Sequence, residues 1–178
     1  MRSVGYTLYM HSPADFVDPT FIEFVKLLTA LFLGGVIGTE RAIFAHQPAG
    51  TRTFGLVAMG ACLFVVISNY VTSSYIGVAD VQPLYMAAGI ITGIGFLGGG
   101  LIIFRGGGLH GVTTAAGLWI TAAIGMSVGF GMFAVALFTT ILALIMFTGM
   151  WYVENTFKHW FDGRLSGVDD SNPEHDKE

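Results

Sequence analysis

The chain has 178 residues, of which 53% are hydrophobic and only 11% are charged, and its formal net charge is −4. Its mean hydropathy is +0.69. Soluble domains carry about 25% charged residues, so this composition excludes an ordinary water-soluble globule. It also excludes the basic surface of a nucleic-acid-binding protein, so no nucleic acid is expected as a partner. The natural partner of such a chain is the lipid bilayer.

Five apolar segments are long enough to cross a bilayer, which takes about 20 residues per helix. They are continuous runs rather than alternating ten-residue stretches, so they predict helices and not a barrel. The expected fold class is an all-α integral membrane protein with about five transmembrane helices, forming a domain over residues 21–152. The predicted spans are Phe21 to Ile37, Phe54 to Tyr70, Pro83 to Phe104, Val112 to Val128 and Met132 to Tyr152.

The basic residues near the span ends predict the orientation of the chain. Lys and Arg concentrate in short cytoplasmic loops. The connections at 71–82 and 129–131 have none, which places both outside. We therefore expect an extracytoplasmic N-terminal segment, residues 1–20, and a cytoplasmic C-terminus. The basic residues on the predicted cytoplasmic side are Arg41, Arg52, Arg105, Lys158 and Arg164.

Two further segments follow the last span. Residues 166–178 are acidic and polar, which predicts a disordered tail. Residues 153–165 predict an interfacial amphipathic helix, because apolar side chains recur at i, i+4, i+7 and i+8. These side chains are Val153, Phe157, Trp160 and Phe161.

The first span contains two charged residues, Glu23 and Lys26, because the apolar run that follows them is too short to cross alone. A charge at the centre of a membrane costs about 2.5–3.5 kcal/mol on insertion scales. The two residues are three apart and share a helix face, so they can offset each other. We favour a structural pair, and a role in an ion pathway is the alternative.

The connection between the first two spans carries a predicted ion pair. Arg41 suits the C-terminal end of a helix, whereas Arg52 opposes the positive N-terminal end of its own helix and requires an anion. Glu40 lies across the short Pro48-Ala49-Gly50 turn. We predict a pair between Glu40 and Arg52 that locks the two helices together.

Small residues four apart allow membrane helices to approach closely. Packing within one chain is favoured here, and a homo-oligomer seam is the alternative. The glycines at 98–100 also allow a loosened or broken third helix, although close packing is favoured there too. Thr113 and Thr114 begin the fourth span, where hydroxyls can cap free N–H groups. The glycine pairs are Gly34 and Gly38, Gly89 and Gly93, Gly95 and Gly99, and Gly125 and Gly129.

Residues with chemical function are sparse. The five histidines are scattered outside the spans, and the single cysteine, Cys62, lies in an apolar run. No metal-ligand spacing, nucleophile elbow or phosphate loop is present in the sequence. We therefore expect no catalytic residues, no cofactor, no metal and no enzymatic activity.

Four motifs together resemble the signatures of the MgtC/SapB membrane family, in the family's order and spacing, across roughly Phe21 to Trp151. They are Leu31 to Arg41 (LFLGGVIGTER), Pro48 to Thr53 (PAGTRT), Gly93 to Gly100 (GIGFLGGG) and Gly111 to Trp119 (GVTTAAGLW). The motif residues that the resemblance makes candidates for function are Gly34, Gly38, Arg41, Pro48, Gly50, Gly93, Gly95, Gly98, Gly99, Thr113, Thr114 and Trp119.

The resemblance implies a multi-pass protein of the bacterial inner membrane. It implies a link to growth in low magnesium and, in pathogens, to survival inside macrophages and virulence. The implied role is regulatory, through binding other membrane proteins such as the F-type ATP synthase. The alternative is a cation carrier or channel, for Mg²⁺. The best-known members have a folded cytoplasmic C-terminal domain, whereas only a short tail follows Tyr152 here, so that domain's functions are not expected.

Overall fold

The computed structural model describes residues 18–43, 49–74 and 83–165, with side chains described only as far as Gly149. Pro48, most of the predicted N-terminal segment and the predicted acidic tail lie outside the described residues. Within these residues the chain forms five helices and one hairpin. They are α1 (Pro19–Ile43), α2 (Thr51–Ser74), α3 (Pro83–Leu101), β1 (Ile103–Arg105), β2 (Gly108–His110), α4 (Val112–Gly129) and α5 (Phe133–Leu165).

The predicted helical character is confirmed, and each of the five predicted spans overlaps one of these helices. In the described part of the chain, three helical segments are long and apolar enough to cross a membrane, namely Thr20–Ile43, Thr51–Ser74 and Val112–Gly129. Two shorter apolar stretches, Tyr85–Leu101 and Phe133–Gly149, belong to α3 and α5.

The first helix is longer than predicted at both ends. Asp18 begins it by capping, since its side-chain oxygen accepts a hydrogen bond of 2.9 Å from the Thr20 N–H. Pro19 follows at the first helical position, where its missing N–H costs nothing. At the other end α1 continues to Ile43, so Glu40 and Arg41 belong to the helix rather than to a loop.

The third span is shorter than predicted, because α3 ends at Leu101 rather than at Phe104. The glycines at 98–100 remain helical, and the chain changes structure only beyond them. Arg105 pairs with Gly108 across an antiparallel hairpin. Gly106 and Gly107 form its two-residue turn with φ angles of 61° and 83°. This left-handed backbone is the geometry that tight hairpins demand and that glycine adopts without steric cost.

A glycine turn joins α4 to α5 within the connection expected at 129–131. Gly131 has φ 79°. Its N–H donates to the Val128 carbonyl at 2.9 Å, and the Met132 N–H donates to the Ser127 carbonyl at 2.8 Å. Together they form a Schellman motif, which satisfies carbonyls that the end of a helix would leave without partners.

Helix α2 packs against α1, α3 and α4. Its inward face is made of Phe54, Ala58, Cys62 and Val65, all almost fully buried. Helix α4 contacts each of the other four helices. The largest buried side chains that other helices contribute are Ile37, Leu118, Ile124 and Val128.

The outer surface of the bundle is strongly apolar. Phe96 is 83% exposed, and Phe32 and Phe138 are also exposed. In water such side chains would drive aggregation, but lipid tails are as apolar as the side chains themselves. Because lipid supplies no hydrophobic driving force between helices, close van der Waals packing must hold this bundle together.

Helix α5 has 33 residues and therefore extends about 50 Å, well beyond the roughly 30 Å hydrocarbon core of a bilayer. The predicted amphipathic segment at 153–165 is helical, but it continues α5 and does not form a separate helix. Its position at a membrane surface stays a prediction.

Candidate functional site

Three of the four sequence motifs meet at one end of the bundle, where α1 ends and α2 and α4 begin. Close contact requires glycine there, since a β-carbon on Gly38 would lie 2.7 Å from the Gly50 carbonyl oxygen. One turn deeper, a β-carbon on Gly34 would lie 2.6 Å from the carbonyl oxygen of Phe54. Helices α1 and α2 therefore cross with their backbones in contact. This contact brings the end of the first motif against the second.

Arg41 is the charged residue at the centre of this end, and it is only 6% exposed. Its Nη2 donates a hydrogen bond of 3.4 Å to the Thr114 hydroxyl on α4. Its guanidinium also lies 4.7 Å from the centre of the Phe147 ring on α5, a cation–π contact. Arg41 therefore joins three helices through a single side chain.

Gly117 makes room for the aromatic ring under Arg41. A β-carbon on Gly117 would lie 3.1 Å from Phe147 and 3.1 Å from Phe54. This glycine belongs to the fourth motif, whereas Phe147 lies in none of the four. Sequence reasoning missed Phe147, because it lies more than a hundred residues from Arg41 and no spacing links the two. We call Glu40, Arg41, Thr114 and Phe147 the Arg41 cluster.

Glu40 is buried beside Arg41 and is 7% exposed. Its Oε2 is inaccessible and has no hydrogen-bond partner among the described residues. Arg52, by contrast, is exposed. Of the described residues only Glu23 and Lys26 form a salt bridge, so the predicted pair of Glu40 and Arg52 is not formed. The prediction ignored rotation about the helix axes: Glu40 turns toward the interior, and Arg52 stays on the outer surface of α2.

The charges in the first span do form a pair. Lys26 Nζ lies 3.0 Å from Glu23 Oε1, within one turn of α1. Lys26 is the more buried partner, and Glu23 Oε2 has no hydrogen-bond partner among the described residues. From Glu23 to Glu40 the helix rises by about 26 Å, so the two carboxylates lie near opposite ends of α1.

The threonines of the fourth motif do not act as helix caps. Gly111, with φ 88°, is the N-cap of α4, and no side chain caps it. A β-carbon on Gly111 would overlap the Leu101 carbonyl oxygen, so only glycine fits between α3 and α4. Thr114 is buried and accepts the hydrogen bond from Arg41, whereas Thr113 is exposed.

The third motif differs from the others, because most of its glycines contact nothing. Gly98 is the exception, since a β-carbon on it would lie 3.4 Å from the Ala115 side chain on α4. Gly93, Gly95 and Gly99 have open space around them in the single chain. The expectation that Gly95 lies at a helix contact is therefore wrong within this chain. Trp119, which closes the fourth motif, is half exposed.

No three His, Cys, Asp or Glu side chains come together as a metal site within residues 18–43, 49–74 and 83–165. The chemistry that the Arg41 cluster offers is one cation held by a hydroxyl and an aromatic face, next to one buried carboxylate. Such an arrangement can fix the relative positions of helices and hold charge inside the bundle.

A family model described as "MgtC family" matches residues 27–156, which include the whole Arg41 cluster. The chain belongs to the MgtC family. The matched residues include all four motifs, so the match confirms the resemblance that those motifs carry.

Curated relatives match about two thirds of the chain. "Protein MgtC" of Brucella abortus (strain 2308) is 44% identical over 118 residues, which are 66% of this chain and 47% of that protein. "Protein MgtC" of Salmonella typhimurium is 43% identical over 124 residues, covering 70% and 50%. "Putative magnesium transporter YhiD" of Escherichia coli K12 is 37% identical over 124 residues, covering 68% and 57%.

The chain thus spans about half the length of the curated relatives it matches. No solved structure matches it.

Proposed function

We propose that this protein is a non-enzymatic regulator in the bacterial inner membrane that acts by contacting other membrane proteins. It would cross the membrane five times, with the N-terminus outside and the C-terminus in the cytoplasm. Three spans rest on helices of sufficient length and apolar character. The other two rest on the shorter apolar stretches of α3 and α5, and the orientation rests on the positions of the basic residues.

The observation that carries the proposal is the placement of the carboxylates in α1. Mg²⁺ is a hard cation that prefers several oxygen ligands, usually carboxylates. Glu23 is 3.0 Å from Lys26, and Glu40 is buried beside Arg41. Each carboxylate therefore has a cation next to it, and about 26 Å of helix separates the two. This arrangement suits a rigid helical scaffold better than a path for divalent cations.

The physiological setting of the proposal comes from the family. Growth in low magnesium and survival inside host cells are the conditions in which we expect this protein to act. The F-type ATP synthase is the first candidate partner, and a second copy of this chain, forming a homo-oligomer, is the alternative. The exposed apolar surface of α3 supports a contact role, because Phe96 lies outside the packed core and is free to meet another membrane helix.

The second candidate function is magnesium transport. The Escherichia coli relative carries that function in its name. One feature of this chain favours it: Glu40 Oε2 is buried without a hydrogen-bond partner among the described residues, so an oxygen ligand is available inside the bundle. A carrier would need to recruit further oxygen ligands to Glu40 as it moved.

Two parallel measurements separate the candidates. The full chain would be purified in mild detergent, and co-purifying membrane proteins would be identified by mass spectrometry. The same preparation would be reconstituted into proteoliposomes with an enclosed magnesium-sensitive dye, next to a Glu40→Gln variant of equal thermal stability. A regulator gives specific partners and no flux above that of empty vesicles. Saturable Mg²⁺ uptake that Glu40→Gln abolishes would overturn the regulator in favour of the carrier.

A further inference from the structure

Two apolar grooves run along the outside of the bundle and share two lining residues. The first groove, of about 680 Å³, lies between α2 and α3. The second, of about 800 Å³, lies between α1 and α2. Arg52 and Leu56 line both of them, so Leu56 is the ridge that separates the grooves and Arg52 is their common end. Both volumes are in the range of pockets that hold small molecules, roughly 300–1,000 Å³.

Polar residues are confined to one end of each groove. In the first groove they are Arg52 and Thr53, and every other lining residue is apolar or glycine. In the second they are Thr39, Thr51 and Arg52, with the rest again apolar or glycine. Each groove therefore has a polar, positively charged end and an apolar length, which is the polarity of a lipid with an anionic headgroup.

The length of the grooves matches one leaflet of a bilayer. The first groove follows α2 from Arg52 to Phe64, a rise of about 18 Å. The second follows α1 from Thr39 to Leu28, a rise of about 17 Å. Half of the hydrocarbon core is about 15 Å thick. With Arg52 at headgroup level, both grooves would therefore end near the bilayer midplane, where acyl chains end.

The electrostatics at the shared end favour an anion. Arg52 is exposed and has no acidic partner among the described residues, because the salt bridge found there joins Glu23 and Lys26. It lies in the first turn of α2. The N–H groups of that turn have no carbonyl acceptor within the helix, so they are available to an anion. The helix dipole adds positive potential at the same place. The Thr39 hydroxyl donates to the Gly35 carbonyl, so the Thr51 hydroxyl donates to Thr39 at 3.0 Å, and the anion contact rests on Arg52 and the free N–H groups.

We propose that α2 carries a site for one anionic diacyl phospholipid, with its phosphate on Arg52 and one acyl chain in each groove on either side of Leu56. Two grooves with a single charged end fit two chains on a single headgroup, and basic pockets between membrane helices are a known means of binding anionic lipids. The site would supply an anion to the exposed Arg52, which forms no salt bridge with the described residues.

Native mass spectrometry of the delipidated full chain tests the proposal. Phosphatidylglycerol, its single-chain lyso form and phosphatidylcholine would be added separately, and the fraction of protein carrying one lipid would be measured. We expect one tightly bound phosphatidylglycerol, with weaker binding of the other two lipids, because one lacks a chain and the other lacks net charge. Equal binding of phosphatidylglycerol and phosphatidylcholine would overturn the proposal.

Variants separate the headgroup contact from the grooves. Arg52→Gln should weaken phosphatidylglycerol binding about tenfold, as loss of one charged hydrogen bond implies. Arg52→Lys should retain most of the binding. Arg105→Gln removes an exposed arginine of the hairpin and is the matched control. Equal binding by the Arg52→Gln and Arg105→Gln variants would contradict the assignment of the phosphate to Arg52.

Gly60→Leu fills the first groove, because open space surrounds Gly60 and a larger side chain fits without overlap. It should lower binding of the diacyl lipid while leaving lyso-lipid binding in the second groove. Gly99→Leu, also in open space but outside both grooves, is its control. If Gly60→Leu instead changed only the oligomeric state, a second copy of the chain would cover the groove and the lipid site would be wrong. All variants would be compared as monodisperse preparations.

Discussion

The crossing of α1, α2 and α4 and the outer helix α3 both contain glycines four residues apart, but they use them in opposite ways. A β-carbon on Gly129 would lie 2.7 Å from Val65, and one on Gly125 would overlap the Ala58 carbonyl. On α3, Gly89 and Gly93 have nothing near them. The same four-residue spacing therefore marks a fixed backbone contact in one region and an open surface in the other. Spacing shows where close approach is allowed, and only packing shows where it occurs.

The largest effect should come from placing a large side chain where α2 and α4 are in backbone contact. Gly125→Leu should prevent folding or reduce stability by more than about 3 kcal/mol, because the new side chain would overlap backbone that cannot move aside. Gly95→Leu, made in open space on α3, should be nearly neutral. Thermal aggregation in detergent would compare the two. Similar losses from both variants would mean that α3 is packed against something in the purified protein.

The second-largest effect should come from replacing Arg41, the side chain that joins α1, α4 and α5. Arg41→Gln removes the hydrogen bond to Thr114, the contact with the Phe147 ring and the positive charge beside buried Glu40, which together cost about 2–3 kcal/mol. Arg105→Gln, in the exposed hairpin, should change stability by less than about 0.5 kcal/mol. The double variant Glu40→Gln with Arg41→Gln should recover part of the loss. Denaturant unfolding followed by tryptophan fluorescence would measure all three, and no recovery would show that the two charges act independently.

A smaller effect is expected in the hairpin between α3 and α4, and its origin is backbone conformation rather than packing. Gly107→Ala places a β-carbon on a residue with φ 83°, which costs about 1–2 kcal/mol. The space around Gly107 is open, so nothing else should change. Amide hydrogen exchange should show faster opening of the hairpin alone. Faster exchange in α2 or α4 as well would mean that the hairpin stabilises the crossing of α1, α2 and α4.

The smallest expected effect is the coupling between Glu40 and Arg52. Since the two side chains do not pair, a double-mutant cycle with glutamine at both positions should be additive to within about 0.5 kcal/mol. The cycle would use the same unfolding measurement. A clearly larger coupling would restore the ion pair first expected from the sequence, and it would remove Arg52 from the proposed lipid site.

Helix positions and turns were predictable because they depend on local pattern. Apolar length located all five helices, and Gly131 marked the turn between α4 and α5. The rotation of each helix about its axis was not predictable, because an apolar outer surface erases the contrast between inward and outward faces. That is why the sequence predicts an ion pair between Glu40 and Arg52 and a helix contact at Gly95, and the structure has neither. The ring of Phe147 under Arg41 depends on a third helix and has no local signal.

The burial of Cys62 has a practical consequence for mapping this protein in the membrane. The thiol is fully enclosed between α2 and its neighbours, and it is the only cysteine in the sequence. The unaltered chain should therefore be silent toward maleimide reagents, so single cysteines can be introduced without first removing the native one. A cysteine at Ser171 or in the 75–82 connection would then report its side of the membrane against a blank background.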